Sequence, residues 1–147
     1  ELLKSYSESM DLNTVTCLDI GTGTGILLLI AAQLGIKHLV GIDIEEYAAN
    51  QACINCENNH VSAEIICGNL DSDFNGTAQI ILANLTVDPL KILLPQIGKK
   101  LDDQGILIIS GIIDDRSDEI MPYIEANWHI IEERIAGPWH TFALEKR

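Results

Sequence analysis

The sequence predicts an α/β fold: a mostly parallel sheet of seven strands, helices on both faces, closed by a C-terminal antiparallel hairpin. Three observations predict it. Short apolar runs alternate with helical patterns along most of the chain, as in βαβ units, where a helix carries the chain back to start the next parallel strand. The first run leads directly into Asp19-Ile20-Gly21-Thr22-Gly23-Thr24-Gly25, a glycine loop set between a strand and a buried helix. The last two runs are separated by little more than Ala136-Gly137-Pro138. That connection is too short for a parallel crossover, so the two strands must pair antiparallel.

The elements follow in order. Residues 1–6 read as the tail of a helix, and with no initiator methionine the chain is expected to be a piece of something longer. Strands are expected over 15–20, 38–43, 63–67, 79–83 and 106–110, each apolar on both faces, as when helices cover both sides of a sheet. Between them lie helices over 25–34, ended by Gly35 as a C′ glycine, over 46–58, and over 89–100. In the last, Leu90, Leu93, Leu94 and Ile97 recur at i, i+3, i+4 and i+7. Asp88 suits its N-cap and Pro89 its first helical position. A helix over 117–126 is expected to start late or kink at Pro122, and strands over 128–134 and 140–145 complete the hairpin. No repeat, low-complexity tract or linker interrupts the pattern, so residues 1–147 read as one domain.

Composition narrows the partners. A chain of 147 residues buries roughly 68–70% of its extended-chain surface, enough for a core without disulfides or metal. The net charge of −13 repels phosphate backbones, which excludes direct nucleic-acid binding through a basic face, and favours cationic ligands. No apolar run reaches the roughly 18 residues of a membrane span, and no signal peptide is visible; a soluble, cytoplasmic chain is expected. Cys53 and Cys56 form a C-x-x-C, but no second pair or paired histidines supply further ligands. With Cys17 and Cys67 they read as small buried hydrophobes, and no metal site is assigned. His38, His60, His129 and His140 are scattered and receive no role. Trp139-His140-Thr141 lies in the hairpin, where core packing competes with a place at a substrate mouth.

The glycine loop suits two cofactor classes, dinucleotides and S-adenosylmethionine. Glycines at every second position let the backbone turn tightly and approach a ligand, and the N–H groups opening the next helix are expected to face it. A dinucleotide fingerprint is G-x-G-x-x-G. Here the third glycine comes one place early, at Gly25, with Ile26 in the last position, and Asp19 precedes Gly21 by two residues. Asp43, at the end of the second strand, can accept from both ribose hydroxyls. It serves either cofactor class, or else caps the next helix. Asn69, after the third strand, can accept from an adenine amino group through its amide oxygen, or act as a turn asparagine; Leu70 beside it would wall the base. Asn84, ending the fourth strand, can accept from an amine N–H and aim the nitrogen lone pair at a methyl group, or cap the strand end. Leu85-Thr86-Val87 follow it, with no aromatic to stack on a flat base, which favours a flexible aliphatic amine over a nucleobase.

The acidic lead and the G-x-G-x-G beat resemble the first motif of class I S-adenosylmethionine-dependent methyltransferases. Leu18 to Leu27, Gly41-Ile42-Asp43-Ile44, Ala83-Asn84-Leu85 with Asp88-Pro89-Leu90, and Ile109-Ser110-Gly111-Ile112 together resemble the PrmA family, over nearly the whole chain from Val15. The resemblance implies a Rossmann-like seven-stranded sheet, S-adenosyl-L-methionine as cofactor, and methylation of a protein amine, that of a large-subunit ribosomal protein. It implies that Asp19, Gly21, Thr22 and Gly23 hold the methionine end, that Asp43 with Ile44 holds the ribose, and that Asn84 and Leu85 lie beside the transferred methyl. The family usually carries Asp at position 69, where this chain has Asn. Family members also carry an N-terminal recognition domain and a His-Pro-Thr-Thr segment, neither within these residues. Three alternatives remain: action on another amine, a cofactor-binding domain without activity, and a nicotinamide oxidoreductase. The early third glycine and the hairpin count against the last.

Overall fold

The computed structural model describes residues 1–69 and 73–147; Leu70 lies outside the described residues. Seven strands form one sheet in the order β3-β2-β1-β4-β5-β7-β6. They are β1 (Thr16–Ile20), β2 (His38–Asp43), β3 (Glu64–Cys67), β4 (Ala78–Asn84), β5 (Leu101–Ile113), β6 (Trp128–Ala136) and β7 (Trp139–Lys146). The first five pair in parallel, and β7 pairs antiparallel with both β5 and β6. The chain walks outward from β1 through β2 to β3, then returns to place β4 on the other side of β1. Loops at the carboxyl ends of β1 and β4 diverge there, opening the crevice in which such sheets bind ligands. Register brings the tips together: Ile20 lies opposite both Ile42 and Ala83, Asp43 opposite Cys67, and Asn84 opposite Ser110.

Alternation along the strands builds two cores. On one face Leu18, Ile20, Ile81, Ala83, Leu107 and Ile109 pack with Leu90 of α4 (Val87–Leu93) and with Ile120 and Ile124 of α5 (Asp114–Asn127). Trp128 and Phe142 join them, and the Trp128 indole N–H donates to the Leu94 carbonyl at 3.1 Å. On the other face Cys17, Ile80, Leu82, Ile106 and Ile108 meet α1 (Leu2–Ser7), α2 (Ile26–Gln33) and Cys56 of α3 (Glu46–Asn58). Helices therefore cover both faces. β3 and β6, at the sheet edges, carry mostly half-exposed or exposed residues; in β3 Ile65 and Ile66 pack against the cores on opposite faces, while Glu64 and Cys67 are exposed.

Other expectations are corrected. The helix predicted over 89–100 is α4 followed by a separate 3₁₀ turn at Ile97–Lys100, because Pro95 has no N–H to donate to the Lys91 carbonyl and its ring crowds that carbonyl. Its N-cap is Thr86, not Asp88, so Pro89 sits inside the first turn rather than opening it. The helix predicted over 117–126 begins at Asp114 and runs through Pro122. Asp114 and Asp115 favour its positive end, and Asp118, whose carbonyl lacks the Pro122 N–H, is exposed to water. The fifth strand extends well beyond 106–110. Cys17 and Cys56 are buried, Cys53 half-buried, and Cys67 exposed rather than packed inside. Among the described residues no helix is long and apolar enough to cross a membrane, and no three His, Cys, Asp or Glu side chains converge as metal ligands.

Candidate functional site

The site begins at the tip of β1. Gly21, Gly23 and Gly25 all have left-handed φ, +67°, +56° and +78°, a region that glycine enters without steric cost. The resulting loop folds back onto the end of β2. Gly21 and Thr22 donate their N–H groups to the Ile42 carbonyl at 2.9 and 3.1 Å, and Gly25 donates to the Thr22 carbonyl at 2.8 Å. Gly23 donates to Asp43 Oδ2 at 3.0 Å. These four loop donors are thus spent on protein acceptors, which hold the shape of the loop. Gly25 also brings α2 against α3, since a Cβ there would stand 3.4 Å from Ala52.

Two carboxylates hold this loop. Asp19 is 1% exposed and accepts from the Thr22 hydroxyl at 2.7 Å. Burial pushes its carboxyl up to about 7, against the pull of the Thr22 bond and with a smaller push from the charge on Asp43. It lies beneath the loop, with almost no surface of its own to offer a ligand. Asp43 is half-buried; Oδ2 takes Gly23 and Oδ1 takes the Glu45 N–H at 3.0 Å. It therefore links the glycine loop to the start of α3, whose N-cap is Glu45. Each Asp43 oxygen retains a second lone pair.

Beside Asp43 opens a cleft of about 390 Å³ whose lining includes Gly21, Asp43, Ile44, Gly68, Leu85 and Pro89. Ile44 is 79% exposed at its rim. Asn69 follows Gly68, exposed, its backbone N–H donating to Asp73 Oδ2 at 2.7 Å. Leu85 crosses the cleft to reach the glycine loop, and a Cβ on Gly21 would stand 2.6 Å from Leu85 Cδ2.

On the far side of Leu85 lies a second cavity of about 440 Å³, lined by Asn84, Leu85, Thr86, Ser110, Gly111, Trp139 and Thr141. Leu85 is common to both. The Asn84 side chain is set by β5: Ser110 Oγ donates to Asn84 Oδ1 at 2.9 Å, and the Leu85 N–H donates to the Ser110 carbonyl at 3.1 Å. Pairing of β5 with β7 shifts register between Ile109 and Ile112, a bulge of the kind that re-aims side chains near active sites. Gly111 makes it possible, with φ +87° and space for no Cβ, which would stand 2.5 Å from the Leu85 carbonyl oxygen. A third cavity, about 320 Å³ and mainly apolar, adjoins Asn84 from the side of α1 and α2.

Of the residues named from sequence, Asp43, Ile44 and Leu85 line one cleft, and Asn84 lines the neighbouring cavity with Leu85. Sequence reasoning missed Ser110 and Gly111 as physical parts of the site, although a glycine inside a strand is itself a bulge signal. It also gave His140 no role. That ring is 9% exposed, with Nδ1 at 2.7 Å from Glu133 Oε1 and Nε2 at 2.5 Å from Asp114 Oδ1. Two flanking carboxylates raise its pKa.

Comparison with known proteins agrees with this geometry. The family model for ribosomal protein L11 methyltransferase (PrmA) matches residues 2–147. A ribosomal protein L11 methyltransferase of Clostridium perfringens is 38% identical over 132 residues, covering 88% of this chain and 42% of the relative. The chain thus spans less than half the length of that curated relative. A ribosomal protein L11 methylase from Lactobacillus delbrueckii subsp. bulgaricus superposes with a TM-score of 0.89 at 28% identity, covering 99% of this chain and 75% of that one. An RNA methyltransferase from Salinibacter ruber, in complex with S-adenosyl-L-homocysteine, shares the fold alone, with a TM-score of 0.73 at 18% identity over 97% of this chain and 88% of its own. With the strand order, the hairpin and the glycine loop on the same pattern, the chain belongs to the ribosomal protein L11 methyltransferase (PrmA) family.

Proposed function

We propose that this chain is the catalytic domain of an S-adenosylmethionine-dependent methyltransferase acting on an amine of a protein, a large-subunit ribosomal protein being the acceptor. The observation that carries this reading is Leu85, the shared wall between the Asp43 cleft and the Asn84 cavity. Donor cleft and acceptor cavity adjoin at the end of β4, where Leu85 lines both and Asn84 lines the cavity; in-line transfer requires the amine to reach the methyl there to within about 3–3.5 Å, with no side chain between them.

The residues fit the cofactor. Asp43 keeps a lone pair on each oxygen for the ribose hydroxyls, Ile44 and Leu85 offer apolar faces to the base and sugar, and Gly21 leaves room where a side chain would intrude. Asn69, next to Gly68 of the cleft, is the residue we assign to accept from the base through its amide oxygen. Asp19, Thr22 and Gly23 act one step back, shaping the loop that borders the methionine end. S-adenosylmethionine, when bound, supplies an electrophilic methyl group on a sulfonium. The protein's task is positioning, which can contribute about 7–11 kcal/mol to lowering a barrier. Asn84 Oδ1, with one lone pair committed to Ser110, has a second for an amine N–H, turning the nitrogen lone pair toward the cleft. The amine must arrive deprotonated, since a free lysine has a pKa near about 10.4; desolvation in the cavity or proton loss to water serves this.

The test incubates the chain with isotopically labelled S-adenosylmethionine and a mixture of ribosomal proteins, with label located by mass spectrometry. Label on one large-subunit protein supports the reading. Tight binding of S-adenosylhomocysteine without transfer to any protein would leave a cofactor-binding domain and remove the catalytic assignment.

A further inference from the structure

The ladder between β4 and β5 forms the floor of the Asn84 cavity, and Thr86 and Trp139 stand as two walls on either side of it. Thr86 belongs to the loop entering α4. Trp139 is the first residue of β7, opposite Ile113 of β5 and Ala136 of β6, and borders the Gly137-Pro138 turn. Both walls are tied to one place, the first turn of α5. On one side the Asp114 N–H donates to the Pro138 carbonyl at 2.8 Å, and the Asp114 carboxylate meets His140 Nε2. His140, next to Trp139, is gripped from its other nitrogen by Glu133 of β6 and lies stacked on Phe142, ring centroids 6.2 Å apart. On the other side the Arg116 guanidinium makes a two-pronged contact with Asp88, at 2.7 and 3.2 Å, two residues beyond Thr86. Glu119 orients the same guanidinium and accepts from Lys91 of α4.

We propose that the first turn of α5 is a clamp that sets the width of the acceptor cavity, with His140 and Arg116 as positioning residues for its Trp139 and Thr86 walls. The proposal rests on reading this cavity as the acceptor site. The two arms differ in kind. The Arg116 arm is an exposed ion pair, weakened by salt. The His140 arm is nearly enclosed, and an imidazole ring whose two nitrogens both face carboxylates must carry both protons to donate to each. The charged groups in contact with the ring are Asp114 from α5 and Glu133 from β6. Losing a proton leaves one carboxylate facing a bare ring nitrogen, and the Trp139 end of the hairpin loosens.

The chain has two tryptophans, of which Trp128 is 2% exposed and Trp139 49% exposed. Acrylamide quenching therefore reads Trp139, and it does so whether or not the chain transfers methyl groups. Wild type, His140→Gln and Asp114→Asn are compared from pH 6 to pH 9, with circular dichroism confirming the fold. The expected result is quenching that rises with pH in wild type as His140 deprotonates, and that is higher and nearly flat in His140→Gln. Asp114→Asn keeps the acceptor but loses its charge, so its rise shifts to lower pH. Kinetics with labelled S-adenosylmethionine and the ribosomal protein that accepts the label should then show the acceptor KM of His140→Gln raised roughly tenfold, with S-adenosylhomocysteine affinity within twofold of wild type. Identical quenching curves in all three folded proteins would overturn the proposal. Altered quenching with no transfer by wild type would uphold the clamp and remove the acceptor reading it rests on.

Discussion

Leu85 Cδ2 occupies the space beside Gly21 so closely that a Cβ added to Gly21 would stand 2.6 Å from it. The tip of β1 and the loop leaving β4 are therefore in contact through a position that only glycine suits. Gly21→Ala meets this clash and a left-handed φ of +67°, which costs an L-residue about 1–2 kcal/mol. The variant should melt several degrees lower and bind S-adenosylhomocysteine more than about tenfold more weakly, an affinity step of about 1.4 kcal/mol. In a double-mutant cycle with Leu85→Ala the clash should appear as a favourable coupling between the two changes, while the loss from φ stays the same in both backgrounds. Thermal melts and calorimetry of the single and double variants check both statements.

Asp43 carries two backbone N–H groups from different segments. In Asp43→Asn an amide NH₂ must face one of these donors, and a charge-assisted bond is worth about 1.5–3 kcal/mol. S-adenosylhomocysteine affinity should fall at least about tenfold, again about 1.4 kcal/mol, with a loss of stability in the absence of ligand. If calorimetry gave wild-type affinity, Asp43 would be a loop anchor and no cofactor ligand.

Asn84 and Ser110 should separate in kinetics. Asn84→Ala removes the acceptor for the amine and should lower kcat on the order of 10²-fold, as misplacement of a reacting group does, leaving cofactor affinity unchanged. Ser110→Ala removes only the hydroxyl that orients Asn84 Oδ1, a bond worth about 1 kcal/mol, so its kcat should fall several-fold. Equal losses in the two variants would mean that Ser110 touches the acceptor directly.

Asp19 should make stability fall as pH rises. Its carboxyl titrates at about 7 when folded, against an ordinary 3.8, so between those values the folded chain holds a proton that the unfolded chain has released. The native state gains from this group most fully below pH 4, and the gain disappears as pH rises through 7. Asp19→Asn keeps an oxygen for the Thr22 hydroxyl without a charge to bury. It should flatten this slope between pH 4 and 7 and raise the melting temperature above pH 7. Denaturation curves across that range would refute the idea if wild type and variant ran parallel.

Much of the fold was readable locally. The apolar runs of β1, β2, β4 and β5, the glycine loop at Gly21 and Gly23, and the hairpin around Gly137-Pro138 depend on residues within a few positions of one another, and their periods and spacings survive in any tertiary setting. Element limits were harder where two local signals compete. Pro95 broke a helix that Leu90, Leu94 and Ile97 alone would continue, whereas burial of Ile120 and Ile124 in the core carried α5 through Pro122.

The site divides the same way. Asp43, Asn84 and Leu85 stand at strand ends that the pattern alone marks out. What engages them was invisible from sequence: Ile42 and Asp43 taking the loop N–H groups, Ser110 orienting Asn84 from 26 positions away, and His140 held by Asp114 at the same separation. Side-chain periodicity says that a residue faces the core or the sheet edge, but not which distant residue it meets there. Strand order and the bulge at Ser110-Gly111 make that choice, because one step of register in β5 would turn Ser110 to the opposite face of the sheet.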